Sequence, residues 1–181
     1  MFTLEKKILP QAIEVGGSFY KIKTDYRYFL IFIKKLGNKE LNPGDFDFMY
    51  INTPPQDRLE GIKKLCDFMT TSELPRTTEK SPENVLDYEI DAPYIYAAFR
   101  EQYGIDLIDE PLHILKFLAL LRALHDTELN RIIAARLYKP SGKNTEYDKA
   151  QQKQYEAWRL PQPEDNEPDE ALDDFLAQIK G

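Results

Sequence analysis

The first pattern along the chain is short and β-like. In AIEVGGSFYKIK, residues 12–23, two β-prone runs flank Gly16-Gly17. Glycine supplies the positive φ values of a two-residue turn, so the stretch predicts a small hairpin. Helical spacing takes over afterwards. TDYRYFLIFIKKLGN offers Thr24 or Asp25 as a cap, Lys34 and Lys35 for the last turn, and Gly37-Asn38 as a stop, although its YFLIFI core also suits a buried strand. NPGDFDF, residues 42–48, reads as turn and loop. In NTPPQDRLEGIKKLCDFMTT, Thr53 reads as a cap, Pro54 as the first helical residue and Gln56 as the residue that completes a capping box. Leu59, Ile62, Leu65, Cys66 and Met69 then share one helical face.

Residues 70–86 are polar, contain two prolines and predict a long loop. DAPYIYAAFREQYG is the best-formed helix. Asp91 is its expected cap, Ala92, Ile95, Tyr96, Phe99 and Tyr103 its apolar face, and Gly104 its left-handed terminator. TELNRIIAARLYKP turns Leu129, Ile132, Ile133 and Leu137 inward before Pro140 stops it. NTEYDKAQQKQYEAWRLP carries only a narrow stripe of Tyr147, Ala150, Tyr155 and Trp158, which predicts a mostly solvated helix.

Between these last helices and the one at 92–103 lies EPLHILKFLALLRALHD, residues 110–126. From Leu112 to Leu124 only His113, Lys116 and Arg122 are polar. Wound at 100° per residue, the segment has two apolar arcs. Ile114, Phe117, Leu118 and Leu121 form one wide enough for a core. Leu112, Ala119 and Ala123, with Leu115 at the edge, form a flatter one. Such a helix is either central in its domain or shared with another chain. The sequence tilts toward sharing and names Leu112, His113, Leu115, Lys116 and Ala119 as candidate partner-binding residues.

PQPEDNEP, residues 161–168, is acidic, rich in proline and unable to bury enough to fold alone. DEALDDFLAQIKG follows, with Leu172, Phe175, Leu176 and Ile179 at helical spacing. About three turns are marginal alone in water, so the segment either docks on its own domain or engages a partner's groove. The expected organisation is a mainly α, compact multi-helix domain over 1–160 with the N-terminal β-hairpin. A flexible acidic linker over 161–170 and an amphipathic tail helix over 171–181 complete it.

Charge sharpens this division. The 181 residues carry 31 acids and 24 Lys or Arg, with a mean hydropathy of −0.55. Residues 161–181 hold seven of the acids and one base, which leaves 24 acids against 23 bases in residues 1–160. A neutral body does not suit a protein that grips nucleic-acid phosphates. The 112–124 run falls short of the ~20 apolar residues that span a bilayer, and the N-terminus is too charged for a signal peptide. A soluble protein in a reducing compartment is expected.

Candidate chemistry is sparse. Cys66 is the only cysteine and reads as a small buried hydrophobe. His113 and His125 have no zinc-ligand spacing. Asp87, Glu89 and Asp91, and Asp106, Asp109 and Glu110, are the acids that could hold magnesium for a hydrolase or nuclease, but helix capping and loop roles explain them better. No nucleophile elbow or phosphate loop is present. No metal, cofactor or catalytic residue is expected.

The run DAPYIYAAFREQYGIDLIDEPLHILKFLALLRAL resembles the bacteriophage gene-product-fifteen family, as do LPQAIEVGGSFYKIKTDYR and KNTEYDKAQQKQYEAWRLP. The matching positions include Asp91, Ile95, Tyr96, Phe99, Tyr103, Gly104, Ile105, Asp106, Leu107, Leu112, His113, Lys116, Phe117, Leu120 and Leu121. The chain departs from the family pattern at Ile114, Leu115 and Leu118, where members carry tryptophans and an arginine. The resemblance implies a siphophage tail-morphogenesis role in the cytoplasm of the bacterial host. It would be a tail assembly chaperone that covers the apolar helices of the tape-measure protein and recruits tail-tube subunits. A structural tail component kept in the virion, which would use the two-faced helix for a homo-oligomer, is the alternative.

Overall fold

The hairpin forms where glycine permits it. Strand β1 (Ala12–Val15) pairs antiparallel with β2 (Ser18–Lys21), Val15 opposite Ser18, and Gly16 and Gly17 take φ values of 55° and 75° between them. Ile13, Val15 and Ile22 point inward and are buried. The computed structural model describes residues 8–37, 41–70, 85–139 and 145–161. These form six α-helices, one 3-10 helix and the hairpin, a mainly α fold. They divide into two compact units, one built from residues 8–70 and 111–119, the other from 85–110 and 120–161.

In the first unit, helix α1 (Tyr26–Leu36) follows the hairpin. The YFLIFI run is helical rather than extended because its rings recur at three-residue spacing, and Tyr26, Phe29 and Phe32 are buried together. Asp25, not Thr24, caps it, accepting the Arg27 N–H at 3.0 Å. Residues 42–48 are not a plain loop. Pro43–Met49 is a 3-10 helix whose Asn42 side chain accepts the Gly44 N–H, and its three-residue turn puts Phe46 and Met49 on one buried side. The chain then runs back beside β2, with Lys23 N–H donating to Met49 O and Ile51 N–H to Lys21 O.

Helix α2 (Arg58–Met69) starts four residues later than the sequence pattern suggests. Pro55 disfavours helical geometry at Pro54, so Thr53 cannot open the helix. Asp57 is the cap and accepts the Glu60 N–H at 2.9 Å. The inward face is Gly61, Ile62, Leu65 and Phe68, while Leu59 is 45% exposed. A Cβ at Gly61 would lie 2.5 Å from the Tyr50 hydroxyl and 2.9 Å from Pro55 Cγ, so only glycine lets Tyr50 and Pro55 approach this turn. The loop expected at 70–86 falls mostly outside the described residues.

In the second unit, α3 (Ala92–Tyr103) ends at Gly104 with φ 70°, the expected left-handed stop. Its buried residues are Ile95, Ala98 and Phe99, whereas Ala92 is exposed. Helix α4 (Ile114–Ala123) contributes its first six residues to the first unit and the rest to the second. Asp126, at φ 56°, makes the tight turn into α5 (Glu128–Arg136). Thr127 and Asn130 form a capping box there. Leu129 and Ile132 are buried as expected, but Leu137 falls just past the helix and is 44% exposed. Helix α6 (Glu146–Trp158), capped by Thr145, buries no residue. Tyr155 and Trp158 are half-buried, while Tyr147 and Ala150 leave the predicted stripe for solvent.

Candidate interaction helix and the polar groups around it

The apolar run at 112–124 is buried in part: Ile114, Leu115, Phe117 and Leu124 are buried, whereas Leu118 and Leu121, expected on the core arc, are half-buried. Its entry is strand-like: Tyr26 N–H donates to Leu112 O at 2.9 Å, Ile114 N–H donates to Thr24 O at 2.7 Å, and His113 bridges to Asp25. These bonds satisfy backbone groups at the start of both α1 and α4. Phe117 stacks on Tyr26 at 4.5 Å between ring centres, and Phe29 stacks on Phe68 at 5.9 Å. Ile114, Leu115 and Phe117 are all buried.

The proposed partner-binding residues therefore separate. Leu115 is only 6% exposed and belongs to the buried set, not to an outer arc. Leu112 and His113 are half-buried, and Lys116 and Ala119 are exposed. The exposed residues of α4 are Lys116, Ala119, Arg122 and Ala123, two cations and two alanines without a large hydrophobe. Leu172, Phe175, Leu176 and Ile179 lie outside the described residues.

His113 acts as a structural cap. Its Nδ1 accepts the Leu115 N–H at 3.1 Å, so Nε2 carries the proton and donates to Pro10 O at 3.0 Å. Burial holds its pKa below the ordinary histidine value, and the nearby Lys116 charge acts in the same direction. Cys66 is half-buried, and burial pushes its thiol up to about 11, which keeps it protonated near neutrality.

Four of the six acids considered for a metal, Asp87, Asp91, Asp106 and Glu110, accept backbone N–H groups instead. Asp106 accepts the N–H groups of Ile108 and Asp109 and the Tyr96 hydroxyl. These bonds, the one from Ile108 first, hold its carboxyl below the usual range. Glu110 accepts the Asp106 N–H, and Asp87 accepts from Glu89 and Ile90. Among the described residues no three or more His, Cys, Asp or Glu gather as a metal site.

Asp91 sits at the start of α3 as predicted, but it does not cap the helix. Its carboxylate is fully buried and takes both arms of Arg136, at 2.6 and 2.8 Å, as well as the Asp87 N–H at 2.9 Å. Arg136 also donates to Val85 O and Trp158 O. One guanidinium thus ties the start of α3, the end of α5 and the end of α6. Sequence reasoning missed Arg136 because a cation in the last turn of a helix usually complements the helix dipole in solvent. Gln102 was missed too; its side chain accepts the His125 N–H and bonds the His125 ring.

The outer face of α1 also escaped notice. Tyr28 and Ile31 remain 36% and 47% exposed, three residues apart, while the opposite face holds the aromatic core. No helix among the described residues is long and apolar enough to cross a membrane.

Over residues 5–159 the chain matches the family described as bacteriophage Gp15 protein. That span covers most of the sequence, including every described element, so the chain belongs to this bacteriophage family. No curated protein and no solved structure matches it significantly.

Proposed function

We propose that the protein is a phage tail assembly chaperone, a morphogenesis factor that works by binding and not by catalysis. Its clients would be the amphipathic helices of the tape-measure protein, and it would bring tail-tube subunits to them in the host cytoplasm before the tail polymerises. The observation that carries this reading is how the polar groups are spent. His113, Asp87, Asp91 and Asp106 each satisfy backbone or buried partners of the fold. Membership of a bacteriophage protein family supports the same direction.

In this reading the client contacts the exposed edge of α4 at Lys116 and Ala119, beside Leu112 and His113. A second, tethered contact comes from Leu172, Phe175, Leu176 and Ile179. Being in the same chain would raise the effective concentration of that second contact to about the millimolar range. Leu115 supports the helix from within and does not touch the client.

Light scattering of the full chain with a soluble tape-measure fragment from the same genome tests this. A defined complex that survives high salt and weakens when Leu172 and Phe175 become serine is the expected result. A homo-oligomer that ignores the fragment would instead make the protein a structural tail component, which mass spectrometry of purified particles would then detect in virions.

A further inference from the structure

The hairpin has one buried face and one open face. Ile13, Val15 and Ile22 are buried in the first unit, together with Tyr50, which bridges to Ile22 from the segment running back beside β2. Strand alternation puts Ala12, Glu14, Phe19 and Lys21 on the opposite face. Ile51, whose N–H donates to Lys21 O, extends that face by one position. Phe19 is 77% exposed, more than any other large hydrophobe among the described residues, and Ile51 is 56% exposed. Glu14 and Lys21 are exposed too, and neither has an ion-pair partner among the described residues.

The register gives this face a symmetry of its own. Ala12 stands opposite Lys21 and Glu14 opposite Phe19, so the four form a block about 5 Å across the strands and about 7 Å along them. Glu14 and Lys21 occupy one pair of opposite corners, Ala12 and Phe19 the other. A twofold axis along the Ala12–Phe19 diagonal therefore exchanges the two charges. When a second copy is laid face to face about that axis, each Glu14 meets Lys21 of the other copy and the two Phe19 rings meet near the axis. Such self-complementarity is what an isologous contact requires. A partner surface of a single charge sign would instead leave either Glu14 or Lys21 facing a like charge.

We infer that the outer face of the hairpin is a contact between two copies of this chain, related by a twofold axis passing close to Phe19. The contact is independent of the client reading, whose described residues lie on and just before α4. A few residues a side fall well short of the roughly 1,200–2,000 Å² that a stable interface buries, so the dimer is weak and forms only as the protein is concentrated.

Sedimentation velocity of the full chain, from about 10 μM to about 1 mM, tests it through the growth of a dimer with concentration. Phe19→Asp should weaken the dimer about tenfold or more, because it removes the central apolar contact. Glu14→Lys and Lys21→Glu should each weaken it several-fold, since each sets like charges against each other at two symmetric places. Both changes in one chain should restore it. An equimolar mixture of the two single variants should form a heterodimer more readily than either variant pairs with itself. Circular dichroism melts matching the parent show that each variant is folded. A chain that stays monomeric up to about 1 mM overturns the inference. So does a dimer that Phe19→Asp leaves intact, because its contact then lies elsewhere on the surface. A dimer that both single charge variants leave unchanged overturns the twofold arrangement.

Discussion

The two units of this protein bury opposite kinds of centre. In the first, seven aromatic rings, Tyr26, Phe29, Phe32, Phe46, Tyr50, Phe68 and Phe117, are buried among aliphatic residues, while the described Asp25–Arg27 and Asp47–Arg58 pairs keep their arginines exposed. In the second, an ion pair is itself buried, Arg136 and Asp91 with side chains 5% and 0% exposed. Every buried polar or charged residue among those described, Asp91, Thr127 and Arg136, belongs to the second unit. The same residue chemistry therefore has opposite consequences. A solvated pair such as Arg58–Asp47 can be lost cheaply, whereas a desolvated pair leaves an uncompensated charge when either partner goes.

The largest break should come from Arg136→Met. It strands the Asp91 carboxylate in the interior and should cost about 3–5 kcal/mol, seen as a large drop in thermal or urea stability. Pairing it with Asp91→Leu should recover much of that loss. A double variant as unstable as the single one would show that the backbone carbonyls of Val85 and Trp158, not the charge, dominate the site.

A middle-sized effect belongs to the first unit. Gly61→Ala would gain about 1 kcal/mol from helix propensity alone, yet the added methyl meets the Tyr50 hydroxyl and Pro55. A net loss of about 1–3 kcal/mol is expected from overpacking. The Tyr50 hydroxyl is buried with no hydrogen-bond partner among the described residues. Tyr50→Phe should therefore be neutral or stabilising by itself and should relieve most of the Gly61→Ala penalty. Additive effects of the two changes in a melt would refute the steric account.

Acid should also act on the first unit. His113 has its pKa lowered in the fold, so the unfolded chain binds a proton more readily. Its contribution to stability is complete above the ordinary histidine value, about 6.5, and is lost as pH falls through the lower folded value. Protonation would also silence Nδ1 as acceptor for the Leu115 N–H. The difference between parent and His113→Asn stability should shrink on acidification; a constant difference would show that the ring titrates alike in both states. The smallest effect should be Arg58→Ala, which removes a solvated pair and should leave the melting temperature nearly unchanged.

Local sequence fixed the elements themselves to a large extent. Gly16-Gly17, Asp25, Gly104 and the three-and-four spacing of apolar residues act over one or two turns, and the structure places hairpin, α1, α3 and α5 where those signals stand. Family membership was equally legible, since it lies in the order of residues such as Tyr103-Gly104-Ile105-Asp106-Leu107 and Leu112-His113. Boundaries failed where two local rules competed, as at Thr53-Pro54-Pro55, where the second proline overruled the cap. Only the tertiary structure decided which side of the helix at 114–123 is buried, that Leu115 supports the interior, and that Arg136 reaches Asp91 across 45 positions. Burial and ion pairing are set by neighbours distant in sequence, whereas turns, caps and helical periodicity are set by the covalent geometry of residues a few positions apart.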